Sequence, residues 1–236
     1  MASKDYLKLY YADVAPLKDG ALFAEFFNDM GEDRKRKIIR AAKEDDKRLL
    51  LGAGVLLDIA IREEGMDPRF LTVKKRDDGK PYVAGEPFFF NLSHSGERVM
   101  CAISSLEVGC DVEKVRDANM SLAGRFFSGD EYNMLKRCPD YMRPELFTQI
   151  WTVRESAAKL TGEGIKAISR FRTIIMQKEP ESALYGLTEA QNDGSEEISE
   201  RRFLCKTYLA EKDYAYSVSS AEDIFPARMV REELSK

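Results

Sequence analysis

The sequence predicts an α+β protein built as two similar lobes in a pseudo-twofold arrangement, each a small, mostly antiparallel sheet packed with helices. Its 236 residues suffice for one large domain or two small ones. The balance of 44% apolar and 33% charged residues is typical of globular proteins. The order strand, helices, strands occurs twice, with a break near residues 105–107. We therefore expect an N-terminal lobe over residues 1–106, a C-terminal lobe over residues 107–236, and a site at their seam.

The first half alternates between strand and helix patterns. The weakly alternating "YLKLYYADV" predicts the first strand. Two helices follow, one over residues 32–43 and one with Asp45 or Asp46 as its N-cap and Gly65 at its end. The remaining patterns predict a strand, a turn and two further strands, in the order "FLTVKK", "RDDGKP", "PFFFNLS" and "RVMCAISS".

The second half begins with a strand at "EVGCDVE". A short helix follows with Ser128 as its N-cap, and a longer helix, "RPELFTQIWTVRESAAKLTGEG", ends at Gly162. Three strands complete the half, "RFRTIIM", "RRFLCKTYLAEK" and "YAYSVSS". Between the first two of them, "EAQNDGSEEISER" predicts a polar, acidic loop.

Composition narrows the class of protein. A net charge of -4 argues against a chain that coats nucleic acid. We expect a cytoplasmic protein without a membrane segment, because no signal peptide pattern is present and the longest apolar stretch is short and contains Asp58. The four cysteines lack CxxC spacing and are interpreted as free thiols in a reducing compartment. The single histidine, His94, excludes a histidine-rich metal centre.

Two carboxylates in "GCDVEK" suggest a cation site. On a strand, Asp111 and Glu113 point to one face, while Cys110 and Val112 point into a core. Two buried anions raise the pKa of at least one of them unless a cation lies between them. Oxygen ligands suit Mg²⁺ or Mn²⁺. The alternative is a solvated strand end with two acids.

A third carboxylate lies on the long helix of the second half. Glu155 and Lys159 share a helix face at i and i+4, and the only tryptophan, Trp151, lies one turn earlier. A surface ion pair worth a few tenths of a kcal/mol is the alternative for such a pair.

Two further segments are suited to phosphate. "NLSHSG" offers Ser93 and His94 at a strand end, either as a phosphate cradle or as a polar turn with a capping serine. A basic segment is either an anion site or a solvated helix face; it contains Arg34, Lys35, Arg36, Lys37, Arg40, Lys43, Lys47 and Arg48. "GKP" adds Lys80 in a turn.

Taken in order, five blocks of this sequence resemble the signature blocks of the 4'-phosphopantetheinyl transferases, most closely the long, two-lobed type that activates surfactin synthetase. They are "GKP", "FNLSHSG", "GCDVEK", "RFFSGDEY" and "IWTVRESAAKLTGEG". The resemblance runs from about residue 25 to about residue 175. It implies an enzyme that moves the phosphopantetheine arm of coenzyme A to a serine of an apo acyl, peptidyl or polyketide carrier protein. The other product is adenosine 3',5'-bisphosphate, and the fused lobes imply a monomer.

The resemblance also implies roles for residues of the second half. Asp111, Glu113 and Glu155 match the ligands of the metal, normally Mg²⁺. Lys159 matches the lysine that contacts the reacting phosphates. Because a serine hydroxyl is a poor nucleophile, a carboxylate must take its proton, and Glu155 is placed for that. Arg154 departs from the family, which most often has lysine there.

In the first half, the resemblance implies contacts to coenzyme A. Ser93 and His94 match the phosphate-contacting pair, with His94 at the 3'-phosphate. Basic positions at the same phosphate match Arg48 and Arg36, although Arg34 and Arg36 could exchange places. The turn beside the adenine matches Lys80 and Pro81.

Two other classes of function compete with this interpretation. A non-catalytic coenzyme A or nucleotide-binding module would keep the phosphate contacts without needing Glu155 and Lys159. A nucleic-acid-binding protein using residues 34–48 is disfavoured by the charge of -4 and by the lack of aromatic residues in that segment. The carrier is expected to dock on a partly exposed apolar surface within residues 117–142, unless those residues fill the core.

Overall fold

The computed structural model describes residues 5–85, 88–179, 181–191 and 199–235. Two main sheets and one two-stranded hairpin are packed with helices. The predicted α+β class with small, mostly antiparallel sheets is confirmed.

The first sheet has the strand order β11-β1-β5-β4. Strand β5 pairs antiparallel with both β1 and β4, whereas β11 pairs parallel with β1. These strands are β1 Leu7–Asp13, β4 Phe89–Ser95, β5 Arg98–Ser104 and β11 Val230–Glu232.

Three helices accompany this sheet, and the longest of them packs against it. Helix α3 buries an apolar face rich in leucine and alanine against β1, β4 and β5. The predicted N-cap of α3 is wrong. Its N-cap is Lys43, and Asp45 and Asp46 lie in the first turn, where acidic side chains favour the helix dipole. The helices are α1 Gly20–Asp29, α2 Glu32–Arg40 and α3 Glu44–Glu63.

The second sheet is antiparallel throughout, in the order β6-β10-β9-β8-β7. Its strands are β6 Val108–Lys114, β7 Phe171–Lys178, β8 Ser182–Gln191, β9 Ser199–Glu211 and β10 Tyr214–Ser220.

Helix α6 lies across this second sheet, against β6 and β10. A side chain at Gly109 of β6 would overlap the backbone of α6 at Ser156 and Leu160, so glycine permits the close approach of helix and strand. The predicted capping serine, Ser128, is confirmed, because its hydroxyl accepts from the Glu131 amide in a capping box. The helices here are α4 Met120–Phe126, α5 Gly129–Arg137 and α6 Arg143–Thr161.

Side chains from both sheets form one common core at the seam. Strands β1 and β5 contribute from one side and β6 and β10 from the other. The most buried members are Leu9, Met100, Ala102, Val108, Cys110, Val112, Tyr216 and Val218. Because this core is shared, the two halves are packed together rather than tethered.

The break between the predicted lobes falls in a short connection. Residues 105–107 join β5 to β6, which belong to different sheets. Strand β11, from the C-terminal half, joins the N-terminal sheet. The division into lobes 1–106 and 107–236 stays a prediction.

Local differences from the sequence prediction occur around two strands. The strand expected at "FLTVKK" is shorter, because a 3₁₀ helix occupies Pro68–Phe70; the hairpin strands are β2 Val73–Lys75 and β3 Pro81–Val83. Strand β8 was not predicted, and the two ends of the predicted polar loop belong to β8 and β9. The centre of that loop, residues 192–198, lies outside the described residues.

Two observations concern membrane-spanning helices and the cysteines. Within the described part of the chain, no helix has both the length and the apolar character required to cross a bilayer. All four cysteines are free thiols, as predicted.

Candidate active site

The seam carries a row of polar contacts between β4 of the first sheet and β6 of the second. The Ser93 hydroxyl donates to Asp111 Oδ1 at 2.7 Å, and the Ser95 hydroxyl donates to Glu113 Oε2 at 2.6 Å. As predicted, Cys110 and Val112 are buried on the other side of β6. The alternation of each strand therefore brings two serines to two carboxylates.

Lys159 of α6 joins this row. Its ammonium donates to Asp111 Oδ1 at 2.7 Å and to Ser93 Oγ at 2.8 Å. The lysine thus ion-pairs with Asp111 of its own half, and its hydrogen bond to Ser93 of β4 crosses the seam. Burial alone would lower the pKa of Lys159, but the nearby anionic groups, Asp111 foremost, hold that pKa above its usual value.

The two glutamates are affected by the negative charge around them. Burial, together with the charges of Asp111 and Glu113, raises the pKa of Glu155 to about 7, although Lys159 opposes the shift. Burial and the Asp111 charge also raise the pKa of Glu113, while the hydrogen bond from Ser95 lowers it. The site therefore holds more negative charge than Lys159 balances, which favours binding of a cation.

The three carboxylates do not form a ready-made metal cage. Among the described residues, no three His, Cys, Asp or Glu side chains are spaced closely enough to hold an ion as they stand. The chemistry nevertheless fits a hard cation. All three donors are carboxylates, and the buried Asp111 Oδ2 lacks a hydrogen-bond partner within the described part of the chain.

His94 lies on β4 beside Ser93, with its side chain exposed. Desolvation by the surrounding protein, together with the positive charge of Lys159, lowers the pKa of the imidazole below its usual value. The charges of Asp46 and Asp111 partly oppose this shift. His94 therefore lies within electrostatic reach of both the seam and the start of α3.

The basic residues predicted from the sequence divide between the first turns of α3 and a groove beside α2. Arg48 of α3 is half-buried and ion-pairs with Asp45. Arg36 is exposed, ion-pairs with Asp33 and lines a separate groove of about 800 Å³ between α2, α3 and the hairpin. Pro81 lines the same groove, and the basic side chains around it belong to Arg34, Arg36, Lys37, Arg40, Arg69 and Lys75.

Six basic and four acidic side chains line this groove, so its lining has a small excess of positive charge. Burial lowers the pKa of Arg34, and burial together with the charges of Arg34 and Lys75 lowers the pKa of Lys37. Mutual repulsion of this kind favours an anionic ligand.

The sequence resembles known proteins that share one description. Residues 107–219 match the family model of the 4'-phosphopantetheinyl transferase superfamily. Sfp, a 4'-phosphopantetheinyl transferase of Bacillus subtilis strain 168, is 27% identical over 207 residues, 86% of each chain. The region 107–219 of this chain is therefore similar to the 4'-phosphopantetheinyl transferase superfamily.

Other members are more similar over shorter segments. A 4'-phosphopantetheinyl transferase of Bacillus subtilis is 35% identical over 124 residues, 52% of this chain and 55% of the relative. The transferase psf-1 of Bacillus pumilus is 34% identical over 144 residues, 61% of this chain and 60% of the relative. The aligned part of this chain thus spans less than two thirds of the length of these two transferases.

Among the positions matched to the transferase family, Lys80 has unexpected surroundings. Its side chain is only 5% exposed; it ion-pairs with Glu107 and donates to the Leu160 carbonyl. Contact between Lys80 and coenzyme A stays a prediction.

Arg154, where this chain departs from the transferase family, is completely buried. Its guanidinium ion-pairs with Glu131 of α5 and donates to the Ile168 carbonyl at 2.5 Å. Glu131 also accepts from Thr173 of β7. Arg154 therefore links α6 to α5 and to the segment before β7.

Residues 117–142, where a carrier was expected to dock, divide into two groups. Phe126 and Phe127 pack with Trp151 in an aromatic cluster, so the two phenylalanines of "RFF" fill the core, whereas Arg125 is exposed. Met134 and Tyr141 remain exposed, with side chains 43% and 83% accessible. Ser95, the second serine of the predicted "NLSHSG" segment, lies two residues after Ser93 and on the same face of β4.

Proposed function

We propose that this protein transfers the 4'-phosphopantetheine arm of coenzyme A to a serine hydroxyl of an apo acyl, peptidyl or polyketide carrier protein, releasing adenosine 3',5'-bisphosphate. The observation that carries the proposal is the contact of Lys159 with both Ser93 and Asp111, beside Glu113 and Glu155, at the seam. The similarity to known 4'-phosphopantetheinyl transferases supports the same class of reaction.

The three carboxylates of Asp111, Glu113 and Glu155 would hold Mg²⁺, or Mn²⁺ in its place. When bound, such an ion supplies positive charge to the pyrophosphate of coenzyme A. Support comes from the all-oxygen donor set and from the unpartnered, buried Asp111 Oδ2. The carboxylates would have to close around the ion.

Lys159 is placed to meet the reacting phosphoryl group. A lysine ammonium has three N–H donors, and Ser93 and Asp111 take two of them among the described residues. The remaining donor can bind a phosphoryl oxygen, where negative charge grows in the transition state. Ser93 and Asp111 hold the ammonium in place for that contact.

Glu155 would accept the proton of the carrier serine, directly or through water. The serine Oγ forms a bond to the phosphorus that bears the arm. The bond from that phosphorus to the bridging oxygen breaks, and the electron pair leaves with adenosine 3',5'-bisphosphate. Without the metal, burial and the neighbouring carboxylates raise the pKa of Glu155 to about 7. A bound Mg²⁺ would lower that pKa and keep Glu155 ionised, as a base requires.

The nucleotide end of coenzyme A would meet the basic residues of the first half. His94 and Arg48 are proposed at the 3'-phosphate, and Arg36, with Arg34 as the alternative, lines the basic groove. Lys80 and Pro81 lie in the turn proposed to adjoin the adenine. A monomer in the cytoplasm, without nucleic-acid or membrane partners, completes the proposal.

Mass spectrometry of an apo carrier protein tests the proposal. The protein is incubated with coenzyme A and Mg²⁺, and we expect the carrier to gain the mass of one phosphopantetheine. Lys159→Met should abolish the gain, whereas the matched surface variant Lys166→Met should retain it, since Lys166 is exposed and away from the seam. A chelator in excess should also stop transfer.

The possible outcomes separate the classes of function. Binding of coenzyme A without a mass gain on any carrier in a panel would support the non-catalytic module instead. Full transfer in excess chelator would contradict the metal site. Comparing fatty acid, polyketide and nonribosomal peptide carriers side by side would identify the preferred partner.

A further inference from the structure

The turn between β2 and β3 docks on the end of α6. Lys80, at the end of this turn, donates from its ammonium to the Leu160 carbonyl at 3.0 Å and pairs with Glu107 Oε2 at 2.8 Å. Arg76, at the start of the turn, ion-pairs with the same Glu107. The turn therefore contacts both α6 and the residue that precedes β6.

The Leu160 carbonyl is a group that benefits from such a donor. The last carbonyls of a helix lack intrahelical partners and carry the negative end of the helix dipole. A buried ammonium satisfies one of them and opposes that partial charge. Leu160 directly follows Lys159, so the contact acts on the turn of helix that carries the lysine of the site.

A second contact fixes the same end of the helix. Gly162 caps α6 with a φ of 78°, and a side chain there would overlap the Asp78 carboxylate of the turn. Asp78 Oδ1 in turn accepts from the Lys80 amide at 2.8 Å. The turn thus contacts the end of α6 through both Asp78 and Lys80.

Through its ion pair with Glu107, Lys80 is also connected to β6. Residue Val108 begins β6, the strand that carries Asp111 and Glu113. One ammonium therefore joins the end of α6, with Lys159, to the start of β6, with the carboxylates.

We propose that Lys80 is a positioning residue that fixes the C-terminal turn of α6 against the start of β6 and thereby sets Lys159 against Asp111 and Ser93. This inference rests on the proposed function, but it differs from the ligand contact that the family resemblance implies for Lys80. A side chain 5% exposed and engaged by two protein partners is poorly available to a ligand.

The test compares Lys80→Met with Arg76→Met. Arg76 shares the ion pair with Glu107 but has no described contact with α6, so it is the matched control. In Lys80→Met we expect hydrogen exchange of the amides at residues 158–162 to quicken by roughly tenfold, as for loss of one charge-assisted hydrogen bond. Arg76→Met should leave that exchange unchanged.

Kinetics and binding provide the second readout. Lys80→Met should lower kcat for arm transfer by roughly tenfold, while the Kd for coenzyme A, measured by calorimetry, stays within about twofold of the parent. Lys80→Arg, which keeps the charge, should recover most of kcat. If Lys80→Met does not fold, Lys80→Gln, which keeps a donor, is judged by the same comparison.

Two outcomes would overturn the inference. A weaker Kd with unchanged exchange would make Lys80 a ligand contact, and unchanged exchange with unchanged kcat would make it dispensable. Absence of transfer by the parent protein on every carrier would instead contradict the proposed function. The exchange comparison does not depend on activity and would still decide whether Lys80 fixes the helix.

Discussion

Single side chains at the seam act as partners for one another before any ligand binds. Asp111 accepts from Ser93 and Lys159 through the same oxygen, and its other oxygen has no described partner. Glu155 has raised basicity because burial and two neighbouring carboxylates disfavour its charged form. The chemistry proposed for each residue therefore depends on the neighbouring side chains at the seam.

The role of Glu155 is separable from ligand binding. Glu155→Gln keeps a carbonyl oxygen but removes the charge and the ability to take a proton. We expect transfer to slow by at least about a hundredfold, as for loss of a general base, while coenzyme A binding with Mg²⁺ present largely persists. Calorimetry and carrier mass on one preparation measure both. Loss of binding together with transfer would show that Glu155 chiefly holds the metal.

His94 is expected to recognise the 3'-phosphate. A charge-assisted hydrogen bond to that phosphate contributes about 1.5–3 kcal/mol. His94→Ala should therefore weaken binding of coenzyme A more than binding of 3'-dephospho-coenzyme A, both measured by calorimetry. An equal loss for the two ligands would place His94 elsewhere in the site.

Asp58 gives a pH-dependent prediction at the groove. Burial raises its pKa to about 6, despite the charges of Arg62 and Arg34. A carboxylate with a raised pKa destabilises the folded state above that pH, and the cost disappears below the unfolded pKa of about 4. Asp58→Asn should thus stabilise the protein by about 1–2 kcal/mol at pH 7.5 and little at pH 4, measured by urea unfolding. Destabilisation at pH 7.5 would contradict this.

The separate elements differ in how far the sequence predicts them. Ser128 and Gly162 delimit α5 and α6 as expected, because capping depends on residues within one turn. Strand β8 forms because β7 and β9 pair with both of its edges, and no local alternation shows this. The same reasoning applies to Lys159, whose partner Asp111 lies 48 positions away. Strand alternation placed Asp111 and Glu113 together, but contacts between elements required the fold.

Arg154 gives a stability prediction for the packing of α6. Removing one member of a buried ion pair leaves the other charge buried and typically costs about 3–5 kcal/mol. We expect Arg154→Met to lower the free energy of unfolding by that amount, measured with urea. As a control, Lys18→Met removes an exposed pair with Glu97 and should cost less than about 1 kcal/mol. Similar effects for both variants would contradict the structural role of Arg154.

The whole molecule contains both sides of the proposed site in one chain. Ser93 comes from the first sheet, and Asp111 and Glu155 come from β6 and α6 of the second half. The common core between the sheets holds these sides together without a second subunit.

A monomer should therefore be active. Light scattering should give the mass of one chain, and a mixture of inactive Ser93→Ala and Glu155→Gln proteins should not regain transfer. Recovery of activity in the mixture would show that the site is shared between two chains.

The parallel pairing of β11 with β1 affects how the protein folds. Tyr10 and Val230 are neighbours in the sheet although nearly the whole chain separates them. Their contact therefore closes a very long loop, which costs conformational entropy. Such distant pairing slows folding and couples the stability of both ends. We therefore expect that neither half unfolds independently of the other. The seam that carries the proposed active site should form only in the final cooperative step of folding.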